Sequence, residues 1–105
     1  MKIMGAVAIL LGLSSAASAQ MSPSEQRGFA IARANCARCH AIDKVSPSPL
    51  QAAPPFRDLH LRYPVESLEE ALGEGIVTGH PSMPEFKLEP DQIGGFIDFL
   101  KSLER

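Results

Sequence analysis

Two cysteines stand three positions apart in Asn35-Cys36-Ala37-Arg38-Cys39-His40, and a histidine follows the second directly. The chain has no other cysteine. Three chemistries use such a pair. A disulfide or dithiol redox pair leaves His40 without a role and expects a βαβ pattern, which this sequence lacks. Half a zinc site needs two further ligands at metal spacing, and the remaining histidines, His60 and His80, lie twenty residues apart. Attachment of a c-type haem accounts for all three residues. Both thiols add across the porphyrin vinyl groups, and two tethers on one helical turn orient the macrocycle so that the next imidazole meets the iron.

Helices must position that turn. Ser22, Pro23 and Glu25 form a helix start, with a capping hydroxyl, a proline at the first helical position and an acid three residues after the cap. The spacing predicts a helix running to about Ala34. Gly28 and Ala32, one turn apart, leave a shallow face beside Phe29 where another helix can approach. The last helix is the expected visitor. From Asp91 onward, Ile93, Phe96, Ile97, Leu100 and Leu103 recur at three-and-four spacing, a single buried stripe.

Between Ile42 and Tyr63 the prolines at 47, 49, 54 and 55 preclude a long helix, so this stretch reads as loop. A short helix then begins at Ser67 with Glu70 as capping partner, turns Leu68, Ala71 and Leu72 to one side as a pocket wall, and ends at Gly73 and Gly75. The following stretch, Ile76 to Phe86, is a second proline-bearing loop that carries His80 and Met83.

Residues 1–19 read as a secretory signal: Lys2, the apolar run Ile3 to Leu13, and a cleavage site at Ala17-Ser18-Ala19. A run of eleven is short for a membrane span, which needs about twenty residues, so cleavage with no stable membrane insertion is expected. The remaining 20–105 make one small domain. Its loss of Lys2 alone leaves nine basic and twelve acidic side chains, a formal charge of −3. That balance argues against nucleic acid as a partner, and no basic run suggests an anionic membrane surface. A chain this short needs a staple, which a covalent cofactor packed on both faces supplies.

With Cys36, Cys39 and His40 in the attachment motif and Met83-Pro84-Glu85-Phe86 downstream, the chain resembles a small monohaem class I cytochrome c of bacterial type. The match covers about eighty residues, from Ser22 to the C-terminus. The resemblance implies an all-α fold of three or so helices, with crossed N- and C-terminal helices around one covalently attached haem c. Gly28, eight residues before Cys36, stands where the family keeps a glycine for that crossing. Ala32 stands where the family often has an aromatic, which leaves Phe29, or Phe96 and Phe99, to fill the contact.

The resemblance also implies a ligand set: His40 as proximal iron ligand and Met83, forty-three residues later, as distal ligand. His80 is the rival distal ligand and His60 a remote one. In the family a proline carbonyl accepts the proximal histidine's free ring N–H, and Pro54 and Pro55 are the two candidates. Phe56, Leu59 and Leu61 are expected to turn toward the porphyrin. Arg57, Arg62 and Tyr63 are candidates for the propionates, since arginine pairs with carboxylates in a planar fork and a tyrosine hydroxyl can donate to one.

A His/Met iron has both axial positions filled by protein, which leaves no open site for substrate or dioxygen, while the thioether favours the ferrous state. The function implied is one-electron transfer by a periplasmic, monomeric carrier that is not an enzyme. Its partners are donor and acceptor redox proteins met through small, brief contacts. Two alternatives stand beside it: a cytochrome subunit of a larger dehydrogenase complex, and, if Met83 does not ligate, a five-coordinate haem that senses a gas or reduces peroxide.

Overall fold

In the computed structural model, which describes residue 5, residues 20–76 and residues 83–105, the first helix, α1, spans Pro23–Asn35. Its start follows the local chemistry. The Ser22 backbone is extended and its Oγ accepts the Glu25 N–H at 3.1 Å, while Pro23 sits where a missing N–H costs nothing. The expected signal segment lies outside the described residues except for Gly5, and His80 also lies outside them. No helix among the described residues is long and apolar enough to cross a membrane.

The last helix, α3, spans Pro90–Ser102, again with proline in its first turn. The Glu89 N–H donates to Gln92 Oε1 at 2.9 Å, so the helix begins one residue earlier than the apolar stripe alone suggested. Phe96, Ile97 and Leu100 are buried as expected, Ile93 and Leu103 are half-buried at the ends, and Phe99 joins the buried face.

α1 and α3 cross at a contact of two glycines. A Cβ on Gly28 would lie 2.0 Å from the Gly95 carbonyl oxygen and 2.6 Å from Phe99 Cβ. A Cβ on Gly95 would lie 3.0 Å from the Ser24 carbonyl oxygen. The backbones therefore touch directly, which a side chain at Gly28 would forbid. Phe29 and Phe99 close the flank edge to face, with ring centroids 5.6 Å apart. Ala32, fully buried, occupies the family's usual aromatic position, and the Phe29–Phe99 pair supplies the bulk. Burying a Phe- or Leu-sized side chain contributes roughly 1.5–3 kcal/mol, whereas a solvent-exposed ion pair, screened by water, contributes little. The packed crossing therefore outweighs the 2.7 Å Lys101–Glu66 bridge, whose side chains are half exposed.

Three short elements complete the fold among the described residues. A 3₁₀ helix, Phe56–Leu61, lies inside the stretch read as loop, starting directly after Pro54-Pro55. Proline lacks a donor but its carbonyl accepts, and Pro55 O takes the Asp58 N–H at 3.0 Å. Three residues per turn place Phe56 and Leu59 on one inward side and leave Leu61, two residues on, 73% exposed; the expected inward turn of Leu61 is corrected.

The middle helix, α2, spans Leu68–Glu74. Ser67 is not its cap: with φ −64° and ψ −15° Ser67 is itself helical and closes the preceding 3₁₀ turn, Val65–Ser67, whose Val65 is buried in the core. α2 runs through Gly73, and Gly75, at φ 105°, turns the chain away in a conformation glycine adopts freely. Beyond it, Ile76 and Phe86 form an isolated antiparallel bridge, and the Leu88 N–H donates to Leu72 O at 2.9 Å. Met83 and Pro84 line one cavity with Leu68 and Leu72 of α2. The fold is all-α, with three α-helices among the described residues and the terminal pair packed against each other.

Candidate cofactor site

The cysteine turn grows directly from α1. Cys36 is the residue after the helix and keeps helical backbone, its N–H bonded to Ala32 O at 2.8 Å. The N–H groups of Cys39 and His40 both donate to Cys36 O, at 3.1 and 2.9 Å. One more turn is thereby wound past the helix end, and it sets both cysteines and His40 on the wall of a cavity of about 310 Å³. The cysteines are half-buried and unjoined. Burial pushes the Cys36 thiol up to about 11, the reverse of what a reactive dithiol nucleophile requires. A zinc cage also lacks partners: among the described residues no three His, Cys, Asp or Glu side chains converge as metal ligands, and His60 is exposed.

His40 is held from behind. Its Nδ1 lies 2.7 Å from Pro54 O, which distinguishes Pro54 from Pro55 as the partner. A carbonyl only accepts, so Nδ1 carries the hydrogen and Nε2 keeps its lone pair for a metal. The ring also rests on Phe56, at 4.8 Å between centroids, and Phe56 meets Phe96 of α3 at 5.9 Å. The helix crossing and the histidine are therefore joined through a chain of aromatic contacts.

The walls are apolar. Leu59, Leu68, Leu72, Ile76 and Phe86 line the cavity, with Leu68 and Leu72 on the inner side of α2 as expected. Leu50 and Ala52, which sequence reasoning left as connector, line it too; a leucine set among prolines and alanines was the available signal. Met83 and Pro84 stand at the margin, Met83 with 37% of its surface exposed.

Of the three propionate candidates, Tyr63 lines the cavity, and burial raises its hydroxyl pKa. Arg62 is exposed. Arg57 is engaged elsewhere, its Nη1 donating to Ser46 O at 2.7 Å and more weakly to Asp43 O at 3.4 Å.

These residues fit a haem. The slot is apolar, as a porphyrin face requires, and its rim carries two thiols on one turn. It also presents one imidazole whose tautomer leaves Nε2 available. A family model described as cytochrome c matches residues 25–104, most of the chain. Neither curated proteins nor solved structures returned a match to this sequence. With the crossed terminal helices, the cysteine turn and a match of that extent, the chain belongs to the cytochrome c family, electron-transfer haem proteins whose cofactor is covalently attached haem c.

Proposed function

We propose that this protein is a periplasmic one-electron carrier. In this reading Cys36 and Cys39 would hold the haem through thioethers, and His40 Nε2 and Met83 Sδ would ligate its iron. The observation that carries the reading is the 2.7 Å bond from His40 Nδ1 to Pro54 O, one residue past the cysteine pair and on the wall of the apolar cavity. When bound, the haem supplies the redox chemistry, the gain and loss of one electron at iron.

The protein's residues set the terms of that exchange. Pro54 O draws on the His40 N–H and makes the imidazole a better donor, which favours the oxidised form. Met83, as a soft thioether, favours the reduced form. Leu59, Leu68, Leu72 and Phe86 keep water from the slot, so less solvent must reorganise when charge changes. With His40 and Met83 both holding the iron, no position would be left for substrate, which is why the role proposed is carrier and not enzyme. Residues 1–19 direct export and are removed, and the donor and acceptor are redox proteins that bind briefly.

The test is a redox-poised absorbance spectrum of the exported protein together with its intact mass. The expected result is a chain beginning at Gln20, one covalent haem and low-spin spectra in both oxidation states. Met83→Ala should keep the haem but bind carbon monoxide and lower the potential. A low-spin spectrum and potential left unchanged by Met83→Ala, but altered by His80→Ala, would transfer the distal role to His80.

A further inference from the structure

The Pro54 carbonyl that orients His40 has no local means of holding its own place. Pro54 and Pro55 both lack an N–H, so neither can be fastened through its own backbone donor. The carbonyl is located by what flanks it. On one side the Ala53 N–H bonds to Leu50 O at 3.0 Å; on the other the Phe56 N–H bonds to Ala41 O at 2.9 Å. The next residue is Arg57, whose half-buried guanidinium crosses to the opposite limb of the loop and donates to Ser46 O at 2.7 Å.

That limb is itself made rigid. Asp43 Oδ1 accepts the N–H groups of Val45 and Ser46 at 2.9 and 2.6 Å, Asp43 Oδ2 accepts the Ser46 hydroxyl at 2.6 Å, and Ser48 Oγ accepts the Ala41 N–H at 3.0 Å. Arg57 therefore bolts residues 55–57 to a braced turn at 43–46, and the segment between them carries the acceptor for His40. Arg57 reaches that turn through Nη1, which donates to Ser46 O and more weakly to Asp43 O, and a lysine ammonium, a rounder and more flexible donor, reproduces that placement only in part.

We infer that Arg57 is a positioning residue for His40, acting through the Arg57–Ser46 clasp to keep Pro54 O at bonding distance from Nδ1 and so to tune the imidazole's donor strength. The inference rests on the ligation proposed above. Loosening the clasp lengthens the Nδ1–H···O bond, makes the imidazole a weaker donor to ferric iron and raises the potential. Loss of the Arg57 charge acts oppositely, because removing a nearby cation favours the ferric state. Added salt screens this second effect and leaves the bond effect in place.

The experiment compares haem-loaded wild type with Arg57→Met, Arg57→Lys and Asp43→Ala, the last of which loosens the same clasp from its exposed side. Exchange of the His40 Nδ1 hydrogen is followed by NMR of the ferrous protein, and midpoint potentials are read in high salt. Arg57→Met should speed that exchange tenfold or more and raise the potential; Asp43→Ala should do the same to a smaller extent, and Arg57→Lys should restore part of both. Arg57→Met and Asp43→Ala proteins with wild-type exchange and potential overturn the role, even if the loop amides at 43–48 exchange faster. Ring-current-shifted His40 resonances report ligation independently. Their absence from wild type overturns the ligation itself, whereas their presence beside unresponsive variants overturns only the part played by Arg57.

Discussion

Gly28→Ala is the sharpest test of the helix crossing. The added methyl would lie 2.0 Å from the Gly95 carbonyl oxygen, 2.6 Å from its carbonyl carbon and 2.6 Å from Phe99 Cβ. All three are backbone or backbone-adjacent atoms with no rotamer to escape into. An ordinary contact is about 3.5 Å, so α1 and α3 must part by about 1.5 Å along that line. Overpacking of this kind costs roughly 1–3 kcal/mol, and the parting also opens the Phe29–Phe99 contact. Alanine's better helix propensity returns about 1 kcal/mol. A net loss of about 1 kcal/mol is expected, a fall in Tm of roughly 4–8 °C for a domain of this size.

Gly94→Ala is the internal control. It makes the same change one residue from Gly95, on an exposed helical surface where a Cβ meets nothing within 4 Å. Only propensity acts there, so it should stabilise by about 0.5–1 kcal/mol. Denaturant and thermal unfolding of the haem-loaded proteins, followed by circular dichroism, measure both. A Gly28→Ala protein as stable as wild type would refute the close crossing, and destabilisation by Gly94→Ala would refute the assignment of its sign to steric contact.

Four further outcomes can be checked. Phe99→Ala, which empties a position 2% exposed between the terminal helices, should cost about 3–5 kcal/mol in the same unfolding assay. Gly75→Ala should cost about 1–2 kcal/mol, because Gly75 holds φ 105° and a Cβ would approach Glu85 Oε1 at 2.7 Å; wild-type stability would argue against that backbone. The Ser46 hydroxyl and the Ser46 and Val45 N–H groups hold the Asp43 carboxyl down from its ordinary 3.8 to about 2. A depressed carboxyl stabilises the fold above its unfolded pKa and loses that contribution as pH falls through about 2, so an NMR titration of Asp43 should show its midpoint there, and Asp43→Asn should lose less stability than wild type between about pH 4 and pH 2. Replacing both Cys36 and Cys39 with alanine should abolish covalent haem by mass and leave a protein without cooperative melting, since the cavity walls lose the surface they pack on.

Much of the scaffold could be read from residue types because it is governed by local chemistry. The Ser22-Pro23 start of α1, the apolar stripe of α3 and the inward leucines of α2 follow from capping and periodicity, which act over a few residues. The failures have two causes. Ser67 looks like a cap in sequence but sits inside a turn that Pro64 starts, and Leu61 looks like a pocket residue but a three-residue period swings it outward. Arg57 has the right chemistry for a propionate, yet a backbone carbonyl eleven positions earlier takes its donor. Ser67 and Leu61 are decided by a local choice of 3₁₀ over α-helical turn, whereas the partner of Arg57 is set by how the chain folds back, which spacing does not encode.

The division for this protein lies between covalent pattern and spatial closure. Residue types alone establish the cysteine pair with its histidine, the start of α1 and the class of cofactor, because a thioether motif and the Ser22 cap are complete within a few consecutive residues. Only the tertiary structure decided that Gly95 meets Gly28, that Pro54 and not Pro55 holds His40, and that Phe56 links that ring to α3. Those outcomes are contacts between segments 14 to 67 positions apart, fixed by packing to within an ångström, and a pattern of residue types carries no distance information at that range.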